Sequence, residues 1–86
     1  MTNGMRVAVV TGASGALGSA AADQLAGLGM QVVRNYHRAR PDGEHVFRAD
    51  VSTAEGAQAL INYAVKEFGR LDVLVNNAGT AIPKAF

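Results

Sequence analysis

Three glycines spaced by three, Gly12, Gly15 and Gly18 in Thr11-Gly12-Ala13-Ser14-Gly15-Ala16-Leu17-Gly18, constrain this chain more than any other feature. They follow the apolar run Val7-Ala8-Val9-Val10 and open an Ala-rich segment that ends near Leu28. The order is therefore strand, glycine turn, helix, which is what a dinucleotide site requires. Gly12 can take the positive φ of a sharp turn, Gly15 leaves room where a side chain would bar a pyrophosphate, and Gly18 lets the helix lie close against its strand. The free N–H groups of the first helical turn, with the helix dipole behind them, then suit an anion. The bland alternative is a tight turn that binds nothing, and the flanking strand and helix patterns argue against it.

Length decides how much fold can surround that turn. The 86 residues, 49% of them apolar and 17% charged, describe one small soluble domain rather than a disordered chain. A chain of this size buries only about 60–65% of its unfolded surface, so stability should be marginal unless something else covers it. The formal charge of +1 and the lack of a basic run give no footprint for nucleic acid. With no cysteine there is neither a disulfide nor a thiolate metal site. No apolar run reaches the ~18 residues of a membrane span, and the first residues lack the apolar core of an export signal. The expected location is the cytoplasm.

Along the chain, strand one spans about 6–10 and is apolar on both faces, as a central parallel strand would be. Helix one spans about 16–28, with Leu17, Ala21, Leu25 and Leu28 as its apolar stripe beside Gly18 and Ala22, and Gly29 as its stop. Strand two is 31–35. The stretch 36–44 holds Pro41 and Gly43 and is too short for a helical crossover, which normally takes about a dozen residues, so a loop is expected there. Strand three is 45–49, ending at Asp50. Ser52-Thr53-Ala54-Glu55 has the spacing of a capping box, Ser52 and Glu55 closing the first turn of helix two. That helix buries Ala57, Leu60, Ile61, Ala64, Val65 and Phe68 and ends at Gly69. Strand four, 72–75, runs into Asn76-Asn77-Ala78-Gly79. Alternating strands and right-handed crossovers predict an α/β fold, a partial Rossmann-like parallel sheet of four strands ordered 3-2-1-4 with two main helices. In that order the glycine turn and Asn76 to Gly79 meet where strands one and four diverge, the usual place for a ligand in an open α/β sheet.

Other chemistries fit less well. Gly12-Ala13-Ser14-Gly15-Ala16 lacks the final glycine of a nucleophile elbow, and neither histidine is placed to serve it. A P-loop needs a lysine at the turn, and the first lysine is Lys66. His37 and His45 have no cysteine or carboxylate pattern to join them, so no metal site is expected. At the end of strand two, NAD selectivity would call for an acid roughly 20 positions past the glycines. The residues there are Asn35-Tyr36-His37-Arg38, and the first acid is Asp42. Arg34, Arg38 and Arg40 can instead offer charge-assisted hydrogen bonds to a 2′-phosphate. NADP is therefore the expected cofactor, with NAD as the alternative, and His37 and Arg38 are the candidate contacts.

Taken together, Thr11 to Gly18, Asp50-Val51 after strand three and Leu74-Val75-Asn76-Asn77-Ala78-Gly79 after strand four resemble the short-chain dehydrogenase/reductase family. The resemblance covers nearly the whole chain, with three motifs in order. It implies that the backbone near Gly12, Ser14, Gly15, Ala16 and Leu17 holds the phosphates. It also implies that Asp50 accepts from the adenine amino group beside Val51, and that Asn77, Ala78 and Gly79 line the adenosine ribose. Ala16 departs from the commonest form of the family, which has glycine there. The family's catalytic Ser and Tyr-x-x-x-Lys lie beyond the Asn-Asn-Ala-Gly motif. Tyr36 is followed four residues on by Arg40, and Tyr63 by Glu67, so neither supplies that pair. Residues 1–86 are thus expected to form the cofactor-binding half of an oxidoreductase moving hydride between NAD(P)H and a carbonyl or alcohol, with no catalytic residues of its own. The carbonyl substrate would be reached only with the missing half supplied. A non-catalytic dinucleotide-binding module and a truncated product without function are the alternatives. Strand four, an apolar edge without proline or lysine, is expected to self-associate or recruit another strand.

Overall fold

A computed structural model describes residues 4–77. Four parallel strands form one sheet in the order β3-β2-β1-β4, with β1 at Val7–Val10, β2 at Gln31–Tyr36, β3 at Val46–Arg48 and β4 at Val73–Val75. Two helices cover it, α1 at Ala16–Gly27 and α2 at Ala54–Phe68. The expected order and fold class are therefore the ones observed.

β1 lies between β2 and β4, and all four of its residues are fully buried. Alternation along the strand sends Ala8 and Val10 to one face with Val32 of β2, where Ala22 and Leu25 of α1 pack against them. Val9 and Val33 point to the other face and meet Leu60 and Ala64 of α2, with Phe47, Val51, Tyr63 and Phe68 around them. Each face thus carries one helix, which explains why β1 has no polar side. Residues 37–45 connect β2 directly to β3 without a helix, as the length of that stretch predicts.

Three expectations change. The buried face of α1 is Gly18 and Ala22 with Leu25 partly covered, whereas Leu17 and Leu28 are each 74% exposed. Small residues bring the helix so near the sheet that its larger leucines at either end project past the contact. The cap of α2 also moves by one residue. Thr53, not Ser52, is the N-cap, its hydroxyl accepting from the Gly56 N–H at 2.9 Å, while Ser52 turns away to donate to Asp50. Position N3 is then Gly56, which has no carboxylate to return the bond, so the reciprocal capping box does not form. Gly29 and Gly69 take left-handed φ of 89° and 78° just past their helices, as read from sequence. Val65 is 46% exposed rather than core.

Candidate functional site

The site is built on Thr11, the buried residue that follows β1. Its N–H donates to the Val75 carbonyl at 3.0 Å, and its hydroxyl oxygen accepts from the Asn77 N–H at 2.7 Å. Thr11 thereby joins the glycine turn to the end of β4. Gly12 follows with φ of 61°, the left-handed conformation the sharp turn was expected to need. Its carbonyl accepts from the Asn77 side-chain amide at 3.4 Å. A Cβ on Gly18 would lie 2.2 Å from that same carbonyl oxygen and 2.7 Å from Asn77 Nδ2. Gly18 therefore admits the turn and Asn77, which is a closer account of it than approach to the strand alone.

Gly15 differs from both. Its φ of −80° and ψ of 167° suit any residue, and a Cβ there would meet nothing among the described residues nearer than the Gly12 carbonyl oxygen at 3.9 Å. Neither conformation nor packing calls for glycine. Around it the N–H groups of Ser14, Ala16, Leu17 and Gly18 find no acceptor among the described residues, and α1 has neither a side-chain cap nor an acid in its first turn. Such a cradle of free N–H groups fits the phosphates of a dinucleotide.

Beside the turn, a cavity of about 300 Å³ is lined by Gly12, Asn35, His37, Arg38, Ala49, Asp50, Val51 and Ser52. Four of the expected site residues outside the turn, His37, Arg38, Asp50 and Val51, come together here. Ser52 donates to Asp50 through both its hydroxyl and its N–H, and these bonds, with His37 and Arg38 nearby, hold the Asp50 carboxyl below its ordinary range. A second cavity, about 480 Å³, is lined by Ser14, Ser19, Arg34, Arg40 and Asp42 among others. Arg34 is not free for a ligand phosphate: it pairs with Asp23 at 3.0 Å, so of the three arginines considered, Arg38 and Arg40 remain uncommitted among the described residues. Asn76 Oδ1 accepts from the Thr11 hydroxyl at 3.3 Å, so both asparagines tie loops together. Ala78 and Gly79 lie outside the described residues.

Asn35 is a residue that motif reading passes over. It is 1% exposed; its Nδ2 donates to the carbonyls of Phe47 and Ala49 at 3.2 Å each, and its Oδ1 accepts from the Gly12 N–H at 3.4 Å. It fastens the turn to the end of β3 and so sets the spacing of the two walls. The available signal was a lone amide at the end of an apolar strand, which burial obliges to find partners.

The comparisons with known proteins agree with this fold. The family model described as short chain dehydrogenase matches residues 6–86. The cis-4-hydroxycyclohexanecarboxylate dehydrogenase of Sinomonas cyclohexanicum is 45% identical over 91 residues, which cover 93% of this chain and 36% of that protein. A 3-oxoacyl-(acyl-carrier-protein) reductase of Synechocystis is 39% identical over 87 residues, 86% of this chain and 35% of the relative. Among solved structures, the ligand-free aldohexose dehydrogenase of Thermoplasma acidophilum superposes with a TM-score of 0.78 at 31% identity, over 95% of this chain and 34% of that one. The chain thus spans about a third of the length of the proteins it matches. With a family-model match over residues 6–86 and a parallel sheet ordered 3-2-1-4, the chain belongs to the short-chain dehydrogenase/reductase family.

Proposed function

We propose that this chain is the NADP(H)-binding part of an oxidoreductase acting on an alcohol or carbonyl. The observation that carries the reading is the cradle at Gly15, a position where glycine answers no need of packing among the described residues. In this assignment the N–H groups of Ser14, Ala16 and Leu17 hold the pyrophosphate with Gly12 and Gly15. Asp50 and Val51 receive the adenine, and Asn77, Ala78 and Gly79 border its ribose. When bound, the nicotinamide supplies or accepts hydride. The relatives named above act on a hydroxy acid or an oxoacyl group by their names, which supports an alcohol or ketone substrate class. A carbonyl substrate is engaged when the remaining two thirds of a family-length protein accompany this part.

NADP is preferred to NAD in this reading. Tyr36 and His37 stand where a selective acid would repel a 2′-phosphate, Arg38 lines the Asp50 cavity and Arg40 the one beside Ser14. Titration with NADPH and NADH tests it: NADPH should bind more tightly, and equal or reversed affinities would overturn the preference. Absence of binding by either cofactor would overturn the site itself.

The chain's own tyrosines do not serve as proton donors in this assignment, because Tyr63 stacks on Phe47 at 4.6 Å beneath the sheet and Tyr36 belongs to β2. The 86 residues are proposed to bind without turning over, and NADPH consumption with a carbonyl panel would refute that. The β4 edge, with Leu74 52% exposed, is proposed to pair with another strand, which sedimentation across a concentration series would detect. Among the described residues, no helix is long and apolar enough to cross a membrane.

A further inference from the structure

Two of the three oxygens of Asp50 are committed. Its carbonyl accepts from the Thr53 N–H at 3.2 Å and from the Thr53 hydroxyl at 2.9 Å. Its Oδ1 accepts twice from one residue, from the Ser52 N–H at 3.0 Å and the Ser52 hydroxyl at 2.6 Å. Oδ2 makes no hydrogen bond among the described residues; His37 Nε2 stands 3.9 Å from it, and Arg38 adds positive potential nearby. Beneath, Gly56 brings α2 so close that a Cβ on it would lie 1.9 Å from the Asp50 carbonyl oxygen.

We propose that Ser52 is a positioning residue that fixes the plane of the Asp50 carboxylate, leaving Oδ2 directed into the cavity as the acceptor for the exocyclic amino group of a 6-aminopurine. Ser52 thereby sets the selectivity of the site for a 6-amino over a 6-oxo purine. The terminal torsion of a carboxylate is broad and poorly determined by itself. Two donors on Oδ1 pin it, whereas the N–H alone leaves it to swing. A 6-amino group donates to Oδ2, while a 6-oxo group places a carbonyl oxygen against a carboxylate that its hydrogen bonds keep ionised. Because Thr53 rather than Ser52 caps α2, removing the Ser52 hydroxyl leaves the helix start intact.

The inference rests on the dinucleotide reading, and its test separates the two. Affinities of the 86-residue chain for the reduced adenine dinucleotide that it binds more tightly, NADPH or NADH, and for the hypoxanthine counterpart would be measured by nicotinamide fluorescence. The wild type should favour adenine by about tenfold, the range expected when one charge-assisted hydrogen bond is lost. Ser52→Ala should reduce that ratio to about two- to threefold by weakening the adenine arm alone, and Ser52→Thr should restore it. In an Asp50→Ala background, Ser52→Ala should change nothing further, since the two act through one bond. Equal weakening of both cofactors by Ser52→Ala, or an unchanged ratio, would overturn the proposal by showing a merely structural or idle hydroxyl. Tight binding of both purines by the wild type would overturn it while leaving the dinucleotide site standing, whereas binding of neither would overturn both.

Discussion

The two helices begin in the same way and are finished differently. Each follows a strand and a short turn, and each has a glycine at its third helical position, Gly18 in α1 and Gly56 in α2. A Cβ on either would strike the carbonyl oxygen six residues earlier, at 2.2 Å on Gly12 and 1.9 Å on Asp50. The N-caps are where they part. Thr53 closes α2 with its hydroxyl, Glu55 supplies an acid to the first turn, and Lys66 a base to the last. Gly15 closes nothing in α1, whose first turn has no acid and whose last has no base. α2 satisfies its own terminus and dipole, whereas α1 leaves both open at the cradle. The scaffold is repeated, and omission of one side chain distinguishes the start that is available to a ligand.

Filling the shared glycines should break both starts alike. Gly18→Ala and Gly56→Ala each drive a methyl group into a backbone oxygen, and overpacking of that kind costs about 3 kcal/mol or more. Urea denaturation should show most of the stability of so small a domain gone in either variant. A variant of either kind that melts like the wild type would mean the two starts are looser than described.

Exchanging the caps sharpens the contrast. Gly15→Thr places a side chain where the protein offers no obstruction, so the fold should keep its stability to within about 0.5 kcal/mol. Dinucleotide affinity should fall at least about a hundredfold, since the threonine occupies the cradle and competes for its donors. Retained affinity with unchanged stability would show that the open start of α1 holds no ligand. Arg38→Asp, which leaves both helix starts alone, should reverse the NADPH preference through the loss of one phosphate pairing, about 1.5–3 kcal/mol. In α2, Thr53→Ala removes a cap that is present and should lower stability by about 1 kcal/mol in thermal melts.

The smallest effect is in acid. The carboxyl of Asp50 is lowered from 3.8, chiefly by the Ser52 bonds, so the stability it lends to the approach to α2 is complete above about pH 4 and disappears as pH falls through the lowered value. The start of α1 has no acid to titrate. The amide resonance of Ser52 should therefore move below pH 4 while that of Ala16 stays in place.

Much of this was legible because it followed from chain geometry. The strand order comes from handedness and the lengths of the connections, and the direct link from β2 to β3 from there being too few residues for a helix. Gly12 was legible because only a left-handed turn explains a glycine at that point. What failed to show was choice between neighbours. Ser52 and Thr53 are both competent caps, and the sequence does not say that Asp50 takes Ser52 and leaves the helix to Thr53. The leucines of α1 have helical spacing, yet periodicity cannot reveal that Gly18 and Ala22 draw the helix in until Leu17 and Leu28 hang clear. Asn35 was hidden because its partners, Gly12 in the turn and Phe47 and Ala49 at β3, come from two segments far apart in sequence.

The bond from the Asn77 N–H to the Thr11 hydroxyl spans 66 residues. Contacts of such separation form late, because the entropy of closing a long loop has to be met before the contact returns anything. The floor of the glycine turn is therefore supplied from the end of β4, although the turn itself is made much earlier in synthesis. During synthesis, residues 11–18 would wait for residues 75–77 before their floor is complete. In a stopped-flow experiment, nucleotide capture should coincide with the docking of β4 rather than with the earlier rise of helical signal, making the cofactor a reporter of the final step of folding.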